Sequence, residues 1–343
     1  MVKVVYDDIH WFHQDPRGHP ENPNRLEIVL NALRKRKLYD KLEFTNTLQG
    51  DNSVLLVHDK EYVSWIEKES RKGFHYIDPD TYVTRDTYRV ATAFSTTTKH
   101  VVLDGIRKRE VWVILPRPPG HHAGVKGRAL GAPTLGFCIF NHVAVGTRAA
   151  LDLVERVLII DFDAHHGNGT QEIFWDEPRV IHVDIHEYGI YPGTGWVTDI
   201  GGFNALGSKI NVPVEPYTGD NVYVWVLQNI ISPLIEKYKI ELVMISAGFD
   251  SYIEDPLTEL SATENTFYTY GYFLHKLFEE GILRSVIIVL EGGYDAGLRK
   301  GFPAFIEGLM GVKRETSIKP SPPPKKIYVE LKKIMGKYHG IEI

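Results

Sequence analysis

Arg156-Val157-Leu158-Ile159-Ile160-Asp161-Phe162-Asp163-Ala164-His165-His166-Gly167-Asn168-Gly169 is the stretch from which the rest of the chain is read. Its first half is a short apolar, β-branched run, the pattern of a strand buried on both faces. Its second half packs acids and imidazoles together and ends in Gly-Asn-Gly, a turn signal. Side chains two apart in an extended chain share a face, so Asp161, Asp163 and His165 are expected to point the same way from the strand's end. A carboxylate and an imidazole at that spacing can share one cation, with Asp161 left as a partner behind them. A lone Asp-x-His occurs often enough in solvated loops. Asp-x-Asp-x-His-His is denser than a loop explains.

Outward from this stretch, strands and helices alternate. Toward the N-terminus, residues 2–6, 54–57 and 110–115 read as strands, and 24–37, 60–70 and 87–107 as helices, the last polar enough to lie outside. Toward the C-terminus, helix 142–154 precedes the central strand. Strands 179–185, 210–214, 242–246 and 285–290 follow it, with helices at 221–238 and 263–280. The pattern predicts an α/β fold, a three-layer sandwich around a mostly parallel sheet. Residues 1–312 read as one domain and 313–343 as a tail in which Lys and Arg number 8 against 3 acids. After the stiff Ser321-Pro322-Pro323-Pro324, the helical spacing of Ile327, Leu331 and Ile334 gives a short basic amphipathic helix. That helix is expected to pack on the domain or on a sister subunit, which leaves a homo-oligomer open.

Composition narrows the class. At 43% apolar and 24% charged residues the chain is an ordinary globule, and a net charge of −5 gives no reason to expect nucleic acid. Cys138 is the one cysteine, so no intramolecular disulfide forms and a reducing compartment is suited. The N-terminus turns acidic too soon for a secretory signal, and no apolar run reaches bilayer length. A cytoplasmic protein without membrane contact is the expectation.

In mostly parallel sheets, ligands bind beyond the carboxyl ends of the strands. The unusual residues fall there, one set per strand: His121-His122, Asp161-Asp163-His165, Asp184-His186, Asp250 and Tyr294. Asp163, His165 and Asp250 are read as three metal ligands that leave positions open for water and substrate. Pro116-Arg117-Pro118-Pro119-Gly120 stiffens the approach to His121 and His122, which are suited to acid and base. Paired with Asp161, His121 is expected to be cationic. Paired with Asn168, His122 is expected to stay neutral and receive the water proton. Tyr294, on a Gly-Gly turn, can donate to a developing oxyanion. The histidines of 10–19 read as a surface rim, and Cys138 as packing or the wall of an apolar slot.

Arg117-Pro118-Pro119-Gly120-His121-His122, Gly136-Phe137-Cys138-Ile139-Phe140-Asn141, Asp161 to Gly169, Pro192-Gly193-Thr194-Gly195, Ala247-Gly248-Phe249-Asp250 and Glu291-Gly292-Gly293-Tyr294 together resemble the histone deacetylase superfamily. His19-Pro20-Glu21 resembles its N-terminal signature. The superfamily includes deacetylase-like amidohydrolases, acetylpolyamine amidohydrolases and acetoin-utilisation proteins. The resemblance runs from about residue 10 to 300. It implies an arginase/deacetylase-like fold and hydrolysis of an acyl-amide on a long amine such as acetyl-lysine or an acetylpolyamine. It also implies that Gly136, Phe137 and Tyr191 line an acyl tunnel and that Asp80 is a rim acid gripping substrate. A monovalent cation, usually potassium, is implied at Asp161, Asp163, His165 and Asp184, several through backbone carbonyls. A hydroxyl residue is common at the last position, and Asp184 departs from it. Asn168, where a second Asp is the alternative, is similar to the class II and amidohydrolase branch.

Two carboxylates and one imidazole form a hard, oxygen-rich set, so Zn2+ is expected, with Fe2+ or Co2+ able to serve. One rival is a ureohydrolase of the same fold with two manganese ions. Phe137, Tyr191 and the tandem histidines argue instead for one metal and a tunnel. A catalytically silent binder of acylated amines is the other rival, and the intact ligands and Tyr294 speak against it.

Overall fold

A computed structural model describes residues 1–343. Eight strands form one sheet: β1 (Val2–Val5), β2 (Glu43–Thr45), β3 (Val111–Ile114), β4 (Val157–Asp161), β5 (Val180–Glu187), β6 (Lys209–Val214), β7 (Leu242–Ala247) and β8 (Ser285–Leu290). Their order is β6-β5-β4-β7-β8-β3-β1-β2, and every pairing is parallel. The unbroken apolar runs follow from burial of both faces. In β4, Leu158 and Ile160 enter a core of 55 residues on one side, while Val157 and Ile159 enter a core of 23 on the other. Helices Asn24–Lys35, Glu264–Glu279 and Phe302–Leu309 cover the first face, and Thr87–Lys108 and His142–Ala150 the second. This is the expected three-layer sandwich.

The winding places the site. From β4 the chain moves through β5 to β6 toward one edge, and from β7 to β8 toward the other. Neighbours β4 and β7 therefore send their crossovers apart, and a crevice opens beyond their carboxyl ends.

Four readings need correction. Residues 54–57 form no strand: 54–56 belong to a 3-10 helix, Asn52–Leu56, that Val57 ends, and its first turn is capped by the Asp51 carboxylate accepting from the Ser53 amide. One edge of the sheet is formed by β2, which the sequence did not suggest because it is too short to leave a hydrophobic pattern. Helix Thr87–Lys108 is largely buried rather than external. Its hydroxyls are satisfied inside: Thr92, Thr97 and Thr98 donate to the carbonyls of Tyr88, Ala93 and Phe94 at 2.7, 2.7 and 2.8 Å. Polar residues paired in this way cost little to bury. Helix 221–238 is broken by a π-helical turn at Leu227–Ile231. His10 and His13 are buried, not on a surface rim; His13 Nδ1 lies 2.8 Å from Thr87 Oγ1 and its ring stacks on Tyr82.

The tail helix Lys325–Ile334 packs on the domain. Ile327, Leu331, Ile334 and Met335 join the larger core, and the helix meets β6. His339 Nε2 reaches the carbonyl of Gly207 at 2.9 Å, just ahead of that strand. An exposed sheet edge invites pairing with other chains, and here the tail covers it. Leu331→Ala is expected to lower unfolding free energy by about 2–5 kcal/mol, the range for a buried leucine. The midpoint of a urea titration measures it. An unchanged midpoint would detach the tail from the fold.

Candidate active site

Asp163 and His165 follow β4 and Asp250 follows β7, on the two sides of the crevice. Asp163 Oδ2 accepts from the Gly292 amide at 2.7 Å and Asp250 Oδ1 from the Ala164 amide at 2.9 Å. Each carboxylate is thereby oriented, and Asp163 Oδ1 also accepts from the His165 amide at 2.9 Å. The second oxygens converge on His165 Nδ1, at 3.3 Å for Asp163 Oδ1 and 2.9 Å for Asp250 Oδ2. Gly292 has no room for a side chain: a Cβ would stand 2.4 Å from Asp250 Oδ2 and 2.5 Å from Asp163 Oδ2. Burial opposes a charge on His165, yet bonds to Asp163 and Asp250 push its pKa up to about 10. The three groups together stabilise positive charge at one point. These donors fit a divalent ion, with Asp163, His165 and Asp250 as its ligands.

Asp161 was expected on the same face. It stays out of the three-donor cluster and stands behind it as a partner, and the alternation runs on past the strand's end, with Leu158, Ile160, Phe162 and Ala164 all entering the larger core. Its Oδ2 lies 3.1 Å from His121 Nδ1. Burial opposes charge on His121, but Asp163 and Asp161 overcome it and hold the ring well above the usual imidazole range. His122 Nδ1 lies 2.8 Å from Asn168 Oδ1, whose amide nitrogen is committed to the carbonyl of Ala129 at 2.9 Å. The Asn168 oxygen therefore faces His122 and needs Nδ1–H as its donor. Burial, then the positive His121 and His165, push His122 well below the usual range. Adjacent in sequence, with ring centroids 4.0 Å apart, the two imidazoles carry opposite proton affinities.

Around them stand the residues expected to line a passage. The Tyr191 ring meets His122 edge to face at 4.9 Å, and Phe137 meets Tyr294 in the same way at 6.0 Å. Gly136 lies between: with φ +55°, a Cβ there would be 2.6 Å from both the His122 ring and Tyr191. Asp80 is half-buried, and its carboxylate accepts from the hydroxyls of Thr81 at 2.8 Å and Thr134 at 2.5 Å. Thr81 Oγ1 in turn accepts from the Phe137 amide, and the Thr134 carbonyl from Tyr191 Oη. Asp80 is thus tied to both walls. Burial keeps the Tyr294 phenol protonated.

Sequence reading missed the frame behind the site. Glu21, fully buried, accepts from Arg117 Nε at 2.5 Å and Nη2 at 2.8 Å. Arg25 donates to the carbonyls of Gly293 and Glu291, and its guanidinium lies 4.9 Å over the Tyr294 ring. Glu291 Oε2 accepts from the amides of Gly120 and His121 at 2.8 and 3.2 Å, fixing the histidine turn. Arg25 was legible only as a charge inside the apolar stripe of its helix.

A second cluster lies beyond Asp161. Asp161, His182 and Asp184 bring one donor atom each within 4.8 Å of one another, all buried. The side chains of Asp163 and His165 belong to the first cluster, so only Asp161 and Asp184 of the four expected cation residues contribute side chains here.

The fold defines the arginase/deacetylase-like α/β class. The crystal structure of the HDA15 HD domain superposes with a TM-score of 0.87 at 28% identity, covering 98% of this chain and 97% of that one. The histone deacetylase domain profile matches residues 19–309, and the chain belongs to the histone deacetylase family. A probable deacetylase of Archaeoglobus fulgidus is 34% identical over 86% of this chain and 81% of its own length. Histone deacetylase 14, chloroplastic, of Arabidopsis thaliana is 32% identical over 86% of this chain and 73% of its own. An uncharacterized protein of Methanocaldococcus jannaschii is 39% identical over 99% and 98%. Membership supports hydrolase activity. No helix is long and apolar enough to cross a membrane.

Gly136→Ala is expected to cut deacetylase turnover by at least about tenfold without loss of bound metal, since the added methyl collides with His122 and Tyr191. Steady-state rates alongside metal analysis check this; an unimpaired rate would place Gly136 off the substrate's path.

Proposed function

We propose that this protein is a metal-dependent amidohydrolase that removes acetyl or other acyl groups from a long amine, either acetyl-lysine or an acetylpolyamine. The observation that carries the reading is the pairing of His121 with a carboxylate, Asp161, and of His122 with a neutral amide, Asn168, beside a three-ligand cluster. The ion expected on Asp163, His165 and Asp250 is Zn2+, with Fe2+ or Co2+ able to serve. When bound it supplies Lewis acidity, making water acidic and polarising the acyl carbonyl.

The chain's own residues do the rest. His122, its Nδ1–H given to Asn168, presents the Nε2 lone pair and takes a proton from the water whose oxygen adds to the carbonyl carbon. Tyr294 donates a hydrogen bond to the carbonyl oxygen as it gains charge. His121, as imidazolium held by Asp161, passes its Nε2 proton to the amine nitrogen as the C–N bond breaks. A carboxylic acid and a free amine leave. Gly136, Phe137 and Tyr191 bound the acyl chain's path, and Asp80 grips substrate through lone pairs its threonines leave free. At the place of the expected monovalent cation, buried Asp161 and Asp184 bring carboxylate oxygens within 4.8 Å of each other and call for a cation. A cytoplasmic enzyme without nucleic-acid partners fits this chemistry.

The test compares kcat/KM of metal-loaded protein on an acetyl-lysine peptide, acetylated diamines and acetylspermidine. Turnover of at least one is expected, and none would return the silent-binder reading. Tyr294→Phe is expected to lose about 10²–10³ in kcat with metal retained; near-normal turnover would refute its role.

Asn168→Asp sets a carboxylate against His122 Nδ1 and raises the pKa of a ring now held well below 6.5. The base must be neutral to work, so the acid limb of the pH profile is expected to move up by about 1–3 units. An unmoved limb would mean that His122 is not the base.

A further inference from the structure

His182, Asp184 and His186 lie on one face of β5. His186 is satisfied, with Nδ1 2.7 Å from Asp184 Oδ1 and Nε2 2.9 Å from the Gly195 carbonyl. His182 is not. It is 1% exposed, and neither ring nitrogen has a hydrogen-bond partner. Its Nε2 lies 3.6 Å from Asp184 Oδ2 and 3.9 Å from Asp161 Oδ2. Those separations are too long for hydrogen bonds. They are close to the spacing of ligands around a shared ion: two donors about 2.1 Å from a tetrahedral metal stand roughly 3.4 Å apart. Gly167 approaches both carboxylates: its amide donates to Asp184 Oδ2 at 2.8 Å, leaving that oxygen a second lone pair, and a Cβ there would be 2.4 Å from Asp161 Oδ2 and 3.2 Å from Asp184 Oδ2. No lysine or arginine pairs with either acid; their ion-pair partners are all histidines.

This donor set does not suit the monovalent cation that the family resemblance implies. Hard cations of that kind take oxygen, whereas imidazole nitrogen favours zinc, iron, cobalt and nickel. In this chain a carboxylate stands at position 184, where a hydroxyl is common, and an imidazole is aimed at it. We propose that Asp161 Oδ2, His182 Nε2 and Asp184 Oδ2 bind a second divalent transition-metal ion, separate from the ion on Asp163, His165 and Asp250 and in place of potassium. The second ion ties the ends of β4 and β5 together. Through Asp161 it also braces the ring of His121, 3.1 Å from the same oxygen.

The experiment is a cobalt count. Full-length protein is stripped with chelator, reloaded with Co2+ in potassium buffer and desalted, then measured for cobalt per chain and for the visible absorption of low-coordinate cobalt. Wild type is expected to hold two ions and His182→Gln one. Asp250→Ala, which disables the other cluster, should keep one ion with its visible band, and the double variant none. Asp184→Ser, which restores a hydroxyl, is the second probe should His182→Gln fail to fold; it is expected to hold one cobalt and to gain a potassium-dependent rise in Tm. One cobalt per wild-type chain overturns the proposal, as does a second ion that survives both His182→Gln and Asp184→Ser. A count of two in Asp250→Ala would instead refute the assignment of the first cluster while leaving the second standing.

Discussion

Negative charge crowded into a dry space is the constraint from which the rest follows. Asp161, Asp163, Asp184, Asp250 and Glu291 are all buried at the carboxyl end of one sheet. Carboxylates out of water are tolerated only when paired or hydrogen-bonded. Each answers this differently. Asp163 and Asp250 take backbone amides from Gly292 and Ala164, Asp161 takes His121, and Asp184 takes His186 and the Gly167 amide. Burial pushes Glu291 up to about 7, and it spends one oxygen on two amides of the histidine turn. The oxygens left over define where a cation belongs.

Glycine makes this crowding possible. Gly248 and Gly292 let backbone press against Asp163, where a Cβ would come within 2.1 and 2.5 Å of its Oδ2. Behind them, the ion pair of Glu21 with Arg117 carries no exposed atom and binds the N-terminal loop to the strand that delivers the histidines. Breaking such a pair leaves an uncompensated buried charge. The pair works as a specification of geometry more than as a store of stability.

What the sequence disclosed, and what it withheld, follows from range. Strands β4, β7 and β8 were legible because a strand buried on both faces leaves an unbroken apolar run, and their polar ends stand out by contrast. The convergence of Asp163 and His165 with Asp250 was inferred from the rule of where parallel sheets bind ligands. Helix Thr87–Lys108 looked external because hydroxyls that bond their own helix are indistinguishable, in sequence, from hydroxyls facing water. His182 sits within an apolar strand and carries no motif. Arg25 meets Glu291 and Gly293 across more than 260 residues of chain, which no local pattern encodes.

That last contact has a bearing on how the protein can be divided. The phenol of Tyr294 comes from the far end of the chain, but the guanidinium over its ring belongs to the first long helix. No contiguous piece ending before the last strand, and none starting after that helix, contains both the guanidinium and the phenol it covers. A chain cut in an exposed loop between them would part Arg25 from Tyr294, and the contact would return only on reassembly of the two pieces.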